Sequence, residues 1–110
     1  MKILNFYPYY ERYLSGGVKT TTIRLERPNL EIGDQVALTI GWSEDKTKPI
    51  GRAEINALYR RRIGYLTADD FEGESPDCLA PEPTALVISA IYRTVVTLES
   101  DVWVVKFGYL

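Results

Sequence analysis

The chain of 110 residues contains no histidine. That absence removes Ser–His–Asp and Cys–His machinery outright. It also argues against a catalytic zinc site and a bound metal, since such sites lean on imidazole and only one thiolate is present. Proton transfer would then have to run through Lys, Glu, Asp or Tyr. Cysteine is nearly as scarce: Cys78 stands alone, so no internal disulfide can form, as expected in a reducing compartment. Its acidic neighbours in "SPDCLAPEP" would raise its pKa, which argues against a reactive thiolate. No apolar run reaches the roughly eighteen residues of a membrane span. "MKILNFYPYY" carries aromatics and a proline where a signal peptide would carry an apolar core. A cytoplasmic location without membrane association is expected. Excess positive charge is lacking too: the net charge is −2, unlike that of a generic nucleic-acid binder.

What is present suits one globular domain over residues 1–110, with 45% hydrophobic and 25% charged residues. "KILNF" (2–6) reads as a first strand. "YPYYERYLSGG" follows as a short helix, with Pro8 in its first turn and Gly16 or Gly17 stopping it. A Thr-rich strand runs to about Leu25, and Gly33-Asp34 makes a turn into a third strand over 35–40. Residues 43–49 read as a polar loop, and 50–60 as a strand with Ala53, Ile55 and Ala57 on one face. Thr67 is placed to cap a short helix beginning "ADDF", with Asp69 and Asp70 in its first turn. Residues 83–95 read as a helix with Leu86, Val87, Ala90 and Ile91 on its buried face. "DVWVVKFGYL" ends the chain as a strand, Val102, Val104 and Lys106 alternating with Trp103, Val105 and Phe107. The fold expected is α+β: a small mixed β-barrel of about five to six strands with two or three short flanking helices.

The segment "SGGVKTTTIRL" (15–25) carries more chemistry than a plain strand requires. With a period of two, Thr20, Thr22 and Arg24 share one face, and Thr21, Ile23 and Leu25 share the core face. Lys19 would point with Ile23, away from Thr22. It can meet Thr22 only if it sits in the glycine turn or at a bulge. A neutral amine beside a hydroxyl can take its proton and activate it as a nucleophile. The alternative is a lysine in solvent beside threonines that are simply good strand formers. Arg52 and the run Arg60, Arg61, Arg62 are the one basic concentration. They read either as a solvated strand end or as a phosphate-contacting edge.

"LSGGVKTTTIRL", "IGDQVAL" and "VWVVKF", in that order, resemble the ASCH domain family of the PUA-like superfamily. Its G-x-K-x-x-x-x-R segment corresponds to Gly17, Lys19 and Arg24. The resemblance implies a small PUA-like β-barrel with a cleft for RNA or a nucleotide-like ligand. Within the family the chain is similar to the small bacterial amidohydrolases that deacetylate N4-acetylcytidine. That likeness implies Thr22 as nucleophile, Lys19 as base and Glu74 as the assisting acid, with no cofactor. Glu72 lies close enough in sequence to compete with Glu74. The "SPDCLAPEP" segment falls outside the matched pattern. A second expectation is an RNA-binding module in which Arg24, Arg52 and Arg60–Arg62 meet phosphate and Tyr7 or Tyr9 stacks on a base. RNA cleavage in the same cleft is a third. The partner expected is a modified nucleoside or RNA; the sequence leaves the oligomeric state open, with a monomer as the default.

Overall fold

The computed structural model describes residues 1–43 and 45–110. β1 (Lys2–Phe6) leads through a 3-10 turn at Pro8–Tyr10 into α1 (Glu11–Ser15). β2 (Thr21–Arg24), β3 (Gln35–Ser43) and β4 (Lys46–Arg62) follow. After a 3-10 turn at Ile63–Tyr65 come α2 (Ala68–Phe71), a 3-10 turn at Pro76–Cys78, α3 (Pro81–Tyr92) and β5 (Asp101–Tyr109). Among the described residues no helix is long and apolar enough to cross a membrane.

The strands form one mixed sheet in the order β1-β3-β4-β5-β2, with β1 parallel to β3 and every other pair antiparallel. With three short helices this is the expected α+β architecture. The sheet curls enough for its outer strands to meet: Arg24 Nη2 on β2 donates to the Asn5 carbonyl on β1 at 2.6 Å. A side chain thus spans the seam where a closed barrel would carry a ladder.

Both faces of β5 are buried, which explains its valine-rich sequence. Val105 and Phe107 pack with Leu4, Phe6, Val36 and Leu38 inside the curl. Val102 and Val104 pack with Ile63, Phe71 and Ile88 beneath the helices. Each such buried side chain contributes about 1.5–3 kcal/mol relative to an exposed one.

Three local expectations change. The polar loop at 43–49 is mostly strand: Ser43 pairs with Lys46, while Glu44 lies outside the described residues. Gly41 permits this tight approach, because a Cβ there would collide with the Lys46 carbonyl. On β4 the ladder passes from Ile55↔Phe107 to Ala57↔Lys106, leaving Asn56 as a bulge. The extra residue turns Ala57 away from the face of Ile55 and brings Leu58 onto it. On α3 the buried residues are Thr84, Ala85 and Ile88, and Leu86 is 73% exposed. Apolar residues nearly encircle this helix, so its own periodicity could not say which face would meet the sheet.

Candidate active site

The glycine turn after α1 breaks the strand alternation and redirects Lys19. Gly17 adopts φ +72°, and the N–H groups of Val18 and Lys19 both donate to the Tyr13 carbonyl at 3.0 Å. The β2–β5 ladder begins only at Thr21. Lys19, two residues earlier, is freed from the pleat and lies inside the molecule, 2% exposed. Its carbonyl accepts the Tyr109 hydroxyl at 2.5 Å, and burial pushes that phenol up to about 12.

The acidic loop comes to meet it. The Gly73 carbonyl accepts the N–H groups of Thr20 and Thr21 at 2.8 and 3.0 Å. Gly73 has φ +84°, and a Cβ there would strike the Thr20 side chain, so only glycine allows this docking. The next residue, Glu74, is thereby delivered to Lys19, and the two form a buried ion pair. Glu74 Oε1 also accepts the Ser75 N–H at 2.7 Å and lies 3.0 Å from Ser75 Oγ. Lys19 Nζ lies 3.3 Å from that same hydroxyl and 5.1 Å from the Tyr10 ring centre. Glu72 is exposed, and its carbonyl serves the fold by accepting the Thr21 hydroxyl at 2.6 Å. Geometry therefore separates the two candidate acids and puts Glu74 beside the lysine.

Removing two charges from water costs several kcal/mol per ion, and a buried pair seldom recovers more than that. Such a pair bordering open space is a candidate for chemistry rather than for stability. Here the space is a cleft of about 280 Å³ at the seam between β1, β2 and α3. Lys19, Thr22, Arg24 and Glu74 are among its polar lining residues, and Ile88 and Ile91 of α3 among its apolar ones. Thr22 Oγ1 accepts a long hydrogen bond from Arg24 Nε at 3.4 Å. No hydrogen bond joins Thr22 to Lys19 among the described residues. Tyr7 and Trp42 stand at the rim with ring centres 5.3 Å apart, Trp42 being 73% exposed.

Five of the residues singled out in the sequence thus line one cleft: Tyr7, Lys19, Thr22, Arg24 and Glu74. Thr20 does not; it precedes the ladder and lies against Gly73. Arg52 and Arg60 do not either, being exposed on β4 beside Ala37 and Trp103. Arg61 pairs with Asp70 at 3.1 Å, and Arg62 lies over the Tyr65 ring at 5.3 Å. Tyr9 packs edge-on against Tyr10, outside the cleft. Among the described residues no group of three or more His, Cys, Asp or Glu side chains could hold a metal ion.

Sequence reasoning missed Tyr10, Trp42, Ser75, Asp77 and, on α3, Ile88 and Tyr92, whereas Val87 and Ile91 of the face it named do line the cleft. Cys78 does line the cleft, and its thiol pKa is raised, first by burial and then by Glu74 and Asp77. The acidic neighbours matter as expected, but behind desolvation.

No protein-family model matches the chain, and no curated protein matches it significantly. Solved structures do. An ASCH domain from Lactobacillus crispatus JV V101 superposes with a TM-score of 0.69 at 18% identity, covering 98% of this chain and 79% of that one. A protein of Enterococcus faecalis V583 from family DUF984 superposes with a TM-score of 0.70 at 12% identity, covering 100% of this chain and 82% of its own. The chain has the fold of an ASCH domain.

Proposed function

We propose that this protein is an amidohydrolase that removes the acyl group from N4-acetylcytidine or a related nucleoside. The observation that carries the reading is the buried Lys19–Glu74 pair on the wall of a cleft that also holds Thr22. Thr22 Oγ attacks the acyl carbonyl while its proton passes to the neutral Lys19 amine. The Arg24 guanidinium, within reach of Thr22, stabilises the oxyanion that develops. Collapse breaks the C–N bond, and the departing N4 amine takes the proton from Lys19. Water then attacks the acyl-threonine as Lys19 takes one of its protons; the bond from the acyl carbon to Thr22 Oγ breaks, that oxygen takes the proton back from Lys19, and the carboxylic acid departs. Glu74 holds the lysine in the wall of the cleft that Thr22 shares and compensates its charge during both transfers. Nucleophile, base and acid are all side chains, so the scheme calls for no metal or cofactor.

Cleft size supports a small ligand. Its volume of about 280 Å³ falls just below the range of small-molecule pockets, about 300–1,000 Å³. That suits one base or nucleoside with Tyr7 and Trp42 flanking its open side. A non-catalytic RNA-binding reading draws on the same rim aromatics and Arg24, since aromatic faces and guanidinium groups hold single-stranded bases. It gains little from Arg52 and Arg60, which stand away from the cleft.

The test is incubation with N4-acetylcytidine and chromatography for cytidine and acetate. Turnover by the wild type that is abolished in Thr22→Ala supports the proposal. Turnover that survives Thr22→Ala, or no turnover by folded wild type, overturns it. Salt-sensitive RNA binding without turnover would favour the binding module instead.

A further inference from the structure

An ion-paired lysine carries its proton already and must lose it before it can act as a base. The proline-rich stretch that begins at Ser75 supplies a path for that loss. Ser75 Oγ lies 3.3 Å from Lys19 Nζ and 2.8 Å from Asp77 Oδ1. Ser75 is 1% exposed, whereas Asp77 is half-buried and reaches the surface. Tyr10 donates to the other Asp77 oxygen at 2.8 Å and so fixes which oxygen faces Ser75. Pro76 opens the 3-10 turn that swings Asp77 back over Ser75, and the Cys78 N–H closes it on the Ser75 carbonyl at 3.0 Å.

We infer that Ser75 and Asp77 form a proton relay that discharges Lys19 to solvent and so arms it as the base. The inference rests on the reading of Lys19 as base. One Lys19 N–H bond breaks and its proton joins Ser75 Oγ. At the same time the Ser75 O–H bond breaks and that proton joins Asp77 Oδ1. The products are a neutral amine, an intact serine and a neutral aspartic acid, which passes its proton to water. Glu74 is not a carrier in this path. The serine has a single hydrogen to give, and its distance to Asp77, 2.8 Å, is shorter than the 3.0 Å to Glu74.

Competing acceptors around Lys19 are few. The groups facing its amine are Glu74, Ser75 and the rings of Phe6 and Tyr10, with Cys78 near enough to feel its charge. Arg24 lies on the same cleft wall and is cationic. Burial, then the hydrogen bond to Asp77, raises the Tyr10 phenol far above its ordinary range. Burial likewise raises the Cys78 thiol, so both stay neutral bystanders. Ser75 and Asp77 touch Lys19 or each other rather than Thr22, and act as positioning residues for the proton.

Solvent exchange of the Lys19 Nζ protons, followed by NMR on protein labelled with 15N-lysine and without substrate, tests this directly. Ser75→Ala removes the bridging oxygen but keeps the backbone N–H on Glu74, and it should slow exchange about tenfold or more. Asp77→Asn, close in shape to the acid, should slow it similarly and offers a second variant if the first folds poorly. Unchanged exchange in both variants overturns the relay. Because no substrate is present, failure of the wild type to hydrolyse N4-acetylcytidine would strike the amidohydrolase reading and leave this result separately readable.

Discussion

Asp70 and Glu74 belong to the same acidic run and are almost equally buried, 3% and 7% exposed, yet their surroundings have little in common. Asp70 accepts the Thr67 N–H at 2.7 Å, the Tyr59 hydroxyl at 2.5 Å and Arg61 Nη1 at 3.1 Å. These bonds cap α2 and tie it to β4, and the Arg61 side chain remains 42% exposed to water. Burial alone would raise the Asp70 carboxyl, but the bonds from Tyr59, Thr67 and Arg61 outweigh it and hold the group below its ordinary range. Glu74 instead faces a lysine that is itself buried, on the wall of a cleft with a threonine hydroxyl. A buried acid is therefore read by its partner. A solvent-touching cation and a local cap indicate fold, whereas a buried cation beside open space indicates a site.

The largest effect expected is at Glu74. Glu74→Gln should lower kcat/KM about a hundredfold or more. It should also cost about 3–5 kcal/mol in urea denaturation, because Lys19 is left uncompensated. The double variant Lys19→Met/Glu74→Leu should recover most of that stability and stay inactive, which separates the pair's two roles. If the double variant is as unstable as the single one, the pair is structural and the contrast with Asp70 fails.

Gly73→Ala tests what aims Glu74. Forcing a Cβ into a backbone at φ +84° against Thr20 should cost about 1–3 kcal/mol and reduce turnover as the loop lifts away. Asp70→Asn should cost a similar ~1–3 kcal/mol while turnover per folded molecule is retained. The folded-state pKa of Asp70 is depressed, so its contribution is present at neutral pH and is lost as pH falls from the unfolded value of about 4 toward the folded one. Acid denaturation of Asp70→Asn should accordingly show a flatter stability curve below about pH 4. The smallest effect is expected at Thr84, fully buried with a hydroxyl that has no partner among the described residues. Thr84→Val should raise stability by about 1 kcal/mol and leave the cleft unchanged.

Much of this contrast was legible in the sequence because its signals are local. β1 spans the residues its alternation indicated, and Thr67 caps α2 in a reciprocal box with Asp70. The glycine turn before Lys19 was visible as one of two devices, the other a bulge, that could break the pleat. What stayed hidden depends on distant segments. Nothing within 71–78 tells that Gly73 will dock on Thr20 and carry Glu74, rather than Glu72, to Lys19. The Asn56 bulge appears only against β5, and the buried face of α3 only against the sheet. Thr20 shares a period with Thr22 but sits before the ladder begins, so alternation overreached there. Ser75 and Asp77 looked like loop residues because a proton path has no sequence period.

The central claim is that Glu74 serves the chemistry and Asp70 the fold. Initial rates of N4-acetylcytidine hydrolysis for Glu74→Gln and Asp70→Asn, each normalised to folded protein, test it most directly. The account predicts a loss of about a hundredfold or more for Glu74→Gln and a wild-type rate for Asp70→Asn. Equal rates in the two variants, or loss in Asp70→Asn alone, would contradict it.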